Sequence, residues 1–237
     1  MSRAFVPFVP FSSSHIAVMV LTVAMPAALA LIALWLRSAR FARAVSLAFA
    51  AALIATWILW YWLIAARSWI SLQTTLPMEL CDWAAITTIA TLIWPNQKSY
   101  ELAYFWALSG TLQALVTPEL YYDFPDLRFI VFFAFHGGTI AAVLFLTLAR
   151  AMRPWPSSLP RVIAWSLVYM VSALVVNWLF GTNFGYLNAK PTKPSLLDVM
   201  GPWPIYIFEL IGLGILYVFV LYAPFFAADR FRKRRTA

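Results

Sequence analysis

From residue 127 to 149 this chain reads LRFIVFFAFHGGTIAAVLFLTLA, an apolar stretch whose only charge is Arg128 near its start, and similar stretches recur along the sequence. A run of about 20 such residues is what an α-helix needs to cross the hydrocarbon layer of a bilayer. Lipid offers backbone groups no hydrogen-bond partners, so a spanning segment must satisfy them internally. Charge, proline and glycine divide the chain into stretches at 15–36, 44–66, 77–95, 99–117, 127–149, 159–180 and 203–227. The expectation is an all-α fold: a polytopic membrane helical bundle of seven transmembrane helices. It forms one transmembrane domain over residues 1–237, ending in a short basic tail at 229–237. Composition agrees, with 63% hydrophobic and 11% charged residues against roughly 45–50% and about 25% in a soluble domain. The third and fourth stretches are the shortest and most polar.

Orientation follows from where Lys and Arg fall. Arg37, Arg40 and Arg43, then Arg150, Arg153 and Arg161, then Arg230, Arg232, Lys233, Arg234 and Arg235 all lie on one side of an alternating chain. That side is expected to be cytoplasmic, with the N-terminus outside and the C-terminus inside. The net charge of +8 is carried by these flanks, which suit anionic lipid headgroups and not a nucleic acid. The opening MSRAFVPFVPFSSS lacks a long basic region and a cleavage site. It reads as an interfacial arm, with Phe5, Phe8 and Phe11 near the headgroups.

Polar residues inside the spans locate function, because each is costly in hydrocarbon without a partner. With this orientation Glu79, Cys81 and Asp82 lie in the outer half of span three, and Gln113, Thr117 and Glu119 near the outer end of span four. His136 lies about 13 Å below the outer start of span five at 1.5 Å per residue. Asn177, Thr182 and Asn183 close span six, and Glu209 opens span seven. Five helices thus bring polar groups to one depth. A water-accessible cavity is expected there, roofed by the connection from 181 to 202.

Each residue also has a purely structural reading. Cys81, the only cysteine, could be a small apolar filler. His136 could make an interhelical hydrogen bond. Glu79 and Asp82 share a helix face and could hydrate the rim or bind a cation, and Glu209 could pair with Lys190 or Lys193. Gly110, Gly137, Gly138, Gly212 and Gly214 suit close helix contact. Taken together, however, Cys81 and His136 make a nucleophile and its base. Cys81 would attack an ester carbonyl, an S-acyl enzyme would form, and His136 would activate the second nucleophile. Gln113, Asn183 or a backbone N–H near Gly137 could hold the developing oxyanion. No metal ligand set and no phosphate-cradling loop is present, so neither a metal nor another cofactor is expected.

Four blocks support a comparison: LPMELCDWAAI, ELAYFWALSGTLQALVTPEL, the span ending FHGG, and NWLFGTNFGYLNAKPTKPSLLDVMGPWPIYIFEL. Over residues 45–225 the chain resembles the YwaF family of bacterial integral membrane proteins. That family is similar to eukaryotic transmembrane acyltransferases that move acyl chains onto ether lysophospholipids through a Cys and a His on two helices. More distantly it resembles androgen-induced-type hydrolases of lipid esters, which use a Thr and a His. The resemblance implies a lipid acyltransferase or esterase of the cell membrane, the bacterial inner membrane, with membrane lipids as substrate and Cys81 and His136 as the catalytic pair. Glu79 departs from the expected pattern, since a negative charge two positions before the thiol opposes a thiolate. Two other readings are a proton- or cation-coupled transporter using Glu79, Asp82, His136 and Glu209, and a seven-span sensor.

Overall fold

The computed structural model describes residues 6–236, with side chains described through Phe231. Arg3 and Phe5, and the side chains of Arg232, Lys233, Arg234 and Arg235, lie outside the described residues. The first two helices are α1, Ser13–Leu36, and α2, Ala39–Ala66. A single-turn α3, Leu72–Thr75, precedes α4, Leu80–Ile93. One helical run follows in three pieces: α5, Gln97–Trp106, a π-helical segment at Ala107–Thr111, and α6, Leu112–Val116. The long helices α7, Leu127–Ala149, α8, Ser158–Phe180, and α9, Ile205–Thr236, complete the fold. Helix starts follow capping chemistry. Ser38 accepts the Phe41 N–H at 3.1 Å, Asn96 the Lys98 N–H at 2.8 Å, and Asp126 the Arg128 N–H at 2.9 Å.

Six helices are long and apolar enough to cross a membrane: α1, α2, Leu72–Ile93, α7, α8 and the Ile205–Phe231 part of α9. The expected span at 99–117 is not among them. It is helical from Gln97 to Val116 but carries Gln97, Glu101, Ser109 and Gln113. Tyr100, Ala103, Phe105, Trp106 and Ala107 are at most 2% exposed. This helix faces other helices, so its side chains answer to protein partners and not to lipid apolarity.

Helix α7 is the centre of the bundle and packs on α1, α2, α4, α5 and α6. Its Phe129, Phe133, Ile140, Val143, Phe145 and Leu146 meet Leu53, Leu92 and Tyr100 in one core. Helix contact in lipid depends on close packing, and Gly137 supplies it against α1, where a Cβ would lie 2.7 Å from Thr22 Oγ1. Gly212 and Gly214, expected to do the same, have nothing within 4 Å of that position. Helix α9 packs chiefly on α8, α5 and the π segment, and α6 reaches it through Gln113 and Tyr217.

Both ends are stitched by polar side chains. At one, Arg43 donates to the Leu92 and Ile93 carbonyls at 2.8 Å each, neutralising the C-terminus of α4. Buried Glu101 pairs there with Arg161, and Arg153 grips Asp229 with two bonds of 2.8 and 2.5 Å. At the other, the N-terminal arm pairs with the 117–126 connection: the Phe8 N–H donates to Tyr121 O at 3.1 Å and the Asp123 N–H to Val6 O at 2.9 Å. Of the two described phenylalanines of the arm, Phe11, 57% exposed, fits the expected headgroup position. Phe8 instead packs inward on His15 and Phe133, at 5.2 and 6.2 Å between centroids, because the strand-like pairing of the arm turns it under the loop.

Candidate functional site

Three local decisions put Cys81 where it is. Pro77 cannot continue a helix from α3, so the chain restarts at Leu80. Asp82 then accepts the Glu79 N–H at 2.9 Å, one half of a capping box. Cys81 is therefore the second residue of α4, at the end where backbone N–H groups lack acceptors. The facing helix adapts to it. At Gly110 in the π segment a Cβ would fall 2.7 Å from Leu80 Cδ2, so glycine lets that segment reach the start of α4. Thr111 Oγ1 is buried beside the Cys81 thiol, out of hydrogen-bonding geometry with any partner among the described residues. π segments are frequent at functional sites.

His136 lies in mid-α7. Its Nδ1–H donates to Phe132 O at 2.8 Å, and its ring stacks on Phe132 at 4.2 Å. Nε2 is thus left as the acceptor nitrogen. Among the described residues no hydrogen bond joins Cys81 to His136. Both line one cavity of about 990 Å³, walled by α2, α4, the α5–α6 run, α7, α8 and α9. That is the upper end of the ~300–1,000 Å³ usual for ligand sites. Its walls are mostly apolar, with Trp57, Trp60, Phe132, Phe135, Ile211 and Val218 among them. Glu79, Asp82, Gln113 and Glu119 line it too.

The remaining expected residues have structural partners. Glu79 accepts from Gly185 N–H at 3.0 Å and Gln73 Nε2 at 3.2 Å, so its carboxylate ties the roof to α4. Gln113 donates to Tyr217 OH at 2.6 Å. Asn183 does not line the cavity: it accepts from Asn188 N–H at 2.9 Å and donates to Ala189 O at 2.9 Å, folding its own loop. Glu209 does not line it either, accepting the Gly201 N–H at 2.8 Å. Lys190 is elsewhere, on Met200 O at 2.8 Å. Gly137 is packed against α1 and offers the cavity no amide.

The roof is the 181–204 connection, with short 3₁₀ turns at Phe184–Tyr186 and Leu196–Val199. Asn177, 2% exposed, holds it from below by accepting the Phe184 N–H at 2.7 Å and donating to Phe184 O at 3.0 Å. At the rim Glu119 accepts from the Tyr186 hydroxyl and the Thr192 hydroxyl, both at 2.7 Å. Burial raises the Glu119 pKa, but these bonds and nearby Lys193 outweigh it and hold the group below its ordinary 4.5. Tyr186 is pushed well above its ordinary value by burial and by donating to Glu119.

An apolar chamber enclosed by helices, with a thiol and an imidazole on its wall and a looped roof, defines a multi-pass α-helical membrane protein with an internal binding cavity. The chain belongs to the TMEM164 family, whose family model matches residues 10–222. The match names that family and not the YwaF family. Searches of curated proteins and of solved structures found no match.

Proposed function

We propose that this TMEM164-family protein is a lipid acyltransferase or lipid esterase that works through Cys81 and His136. The observation that supports it most is that a first-turn thiol and an imidazole with a free Nε2 face one apolar cavity large enough for an acyl chain. The first turn of a helix places backbone N–H groups that lack helical acceptors beside the Cys81 sulfur. Nε2 takes the thiol proton, the sulfur adds to an ester carbonyl, and the leaving alkoxide recovers the proton from His136. A second hydroxyl, from a lysolipid or water, then gives its proton to Nε2 and attacks the thioester; the C–S bond breaks and the departing Cys81 sulfur recovers that proton from His136. Without substrate, catalytic hydrogen bonds are often long, so the absence of a direct Cys81–His136 bond is compatible with this chemistry.

The reading includes seven passes through the cell membrane, the bacterial inner membrane, with the N-terminus outside. Arg43, Arg153 and Arg161 gather at one end of the bundle in its support. A transporter reading is weaker, because Glu209 stands outside the cavity that holds Glu79, Asp82 and His136. The test is a labelled acyl chain. Purified protein in vesicles is mixed with a phospholipid whose acyl group is labelled, then quenched in acid and mapped by mass spectrometry. Label on Cys81, absent in Cys81→Ala and slow to form in His136→Ala, supports the proposal. Label or turnover equal in Cys81→Ala and wild type ends it.

A further inference from the structure

We infer that Tyr169 is a further catalytic residue whose hydroxyl, with the N–H groups of Leu80 and Cys81, holds the oxyanion formed when Cys81 adds to an acyl carbonyl. This deepens the acyl-transfer reading above and rests on it.

Tyr169 is on α8, 7% exposed, and lines the cavity. Its hydroxyl is buried yet, among the described residues, has no hydrogen-bond partner. It lies against the Leu80 amide and within electrostatic reach of Cys81. Buried polar atoms in native proteins are almost always paired, so each exception calls for a reason. Packing does not supply one. The ring makes the edge contact with Trp83, 5.4 Å between centroids, and a phenylalanine would make it equally well. The roof is even shaped around the oxygen, since at Gly185, with φ +65°, a Cβ would fall 2.8 Å from it.

The other donors complete the arrangement. Leu80 and Cys81 are the first two residues of α4, and among the described residues neither N–H meets a carbonyl or carboxylate: the Leu80 N–H lies against the Tyr169 oxygen, whereas the N–H groups of Asp82 and Trp83 bond to Glu79 O. Two first-turn amides and one hydroxyl therefore lie at the nucleophile with donor capacity to spare, and preorganised donors aimed at developing charge stabilise acyl-transfer intermediates strongly. As sulfur adds, the C=O π electrons move onto oxygen and the thiol proton goes to His136 Nε2. The O⁻ then accepts from Tyr169 OH and the two amides. When the C=O re-forms, the C–O bond to the leaving alcohol breaks and His136 returns the proton to it. Tyr169 keeps its own proton throughout.

The experiment compares wild type, Tyr169→Phe and Cys81→Ala in vesicles, reading the single-turnover rate of Cys81 acylation from a labelled phospholipid. It also measures affinity for a long-chain alkyl trifluoromethyl ketone, whose adduct with the thiol carries the same oxyanion, and for the matching alcohol, which forms none. Tyr169→Phe should slow acylation about 10²-fold and weaken the ketone comparably, with alcohol affinity unchanged. Acylation and ketone binding at wild-type levels would overturn the role of Tyr169 while leaving Cys81 as nucleophile. Equal weakening of ketone and alcohol would overturn it too, by showing a packing role. Wild-type protein with no acyl group on Cys81 would remove the underlying reading itself. If Tyr169→Phe does not fold, the comparison is made on Gly185→Ala, whose added methyl displaces the same hydroxyl.

Discussion

The Glu79 carboxylate accepts the Gly185 N–H at 3.0 Å, so the helix start that carries Cys81 is bonded directly to the roof of the cavity. Glu79 is the N-cap residue of α4, but its side chain does not cap that helix. It reaches to the roof and to Gln73 instead, while Asp82 serves the helix end. Roof and nucleophile are therefore tied through one carboxylate, and the residues that fix the roof are open to direct test.

Two glycines share a φ of +65° but not their surroundings: Gly185 faces Tyr169, whereas Gly181 has nothing within 4 Å of a Cβ. Gly181→Ala loses only the backbone preference, about 1 kcal/mol. Gly185→Ala adds a clash and should lose about 2–3 kcal/mol, lowering Tm by about 2–4 °C per kcal/mol in a chain of this size. Thermal unfolding of both variants in the same detergent measures the difference. Equal losses would mean that the Tyr169 contact is soft.

Glu119 makes the rim sensitive to acid. Its pKa in the folded protein lies below 4.5, despite burial, because Tyr186 and Thr192 donate to it and Lys193 is near. A carboxylate with a lowered folded pKa contributes stability that is present above its unfolded value and lost as pH falls through the folded one. The roof should hold at neutral pH and loosen as pH drops below about 4.5. Amide exchange at 186–193 against pH reads this directly. Glu119→Gln should flatten that dependence, and an unchanged profile would assign the acid step to another group.

Much of this architecture was legible in apolar run length. Five of the stretches read from sequence match α1, α2, α7, α8 and α9 to within a few residues at most ends, because lipid imposes one requirement on all of them. The α5–α6 run was harder to class because it is enclosed by protein, where Glu101 is tolerated through Arg161. Within the site, Cys81, His136, Glu79, Asp82 and Gln113 were found as polar residues in apolar context, and all line the cavity. Asn183 and Glu209 carried the same signal, but backbone amides of the roof claimed them, and which amide a side chain meets depends on loop geometry. Tyr169 and Thr111 gave no signal, since an uncharged hydroxyl is ordinary in a membrane helix.

The Glu101–Arg161 pair sets one side chain that is 1% exposed against one that is 31% exposed. Removing the exposed partner strands the buried charge, so Arg161→Met should cost about 3–5 kcal/mol. Glu101→Gln keeps the bond to the Gln97 side of the site and leaves an arginine that can turn to solvent or headgroups, and it should cost less. Glu101→Leu with Arg161→Met should recover most of the loss. Unfolding in detergent across the three variants checks the order. A double variant no better than Arg161→Met would show that the pair is needed for packing as well as for charge.

The two histidines should separate stability from activity. His15 is fully buried; its Nε2–H donates to Leu115 O at 2.8 Å and its Nδ1 accepts the Phe11 N–H at 2.9 Å. It thereby fastens the start of α1 to the end of α6, with Phe8 and Phe133 against its ring. His15→Ala leaves a buried carbonyl without a partner and opens a void, together about 3–5 kcal/mol. Among the described residues His136 bonds only within its own helix, and it lines the cavity, so His136→Ala should cost less than about 1 kcal/mol while slowing acylation of Cys81 by about 10²-fold or more. Melting curves and acylation rates for the two variants side by side give the answer. If His136→Ala melts as early as His15→Ala, His136 belongs to the framework, and the base must be sought among the other residues that line the cavity.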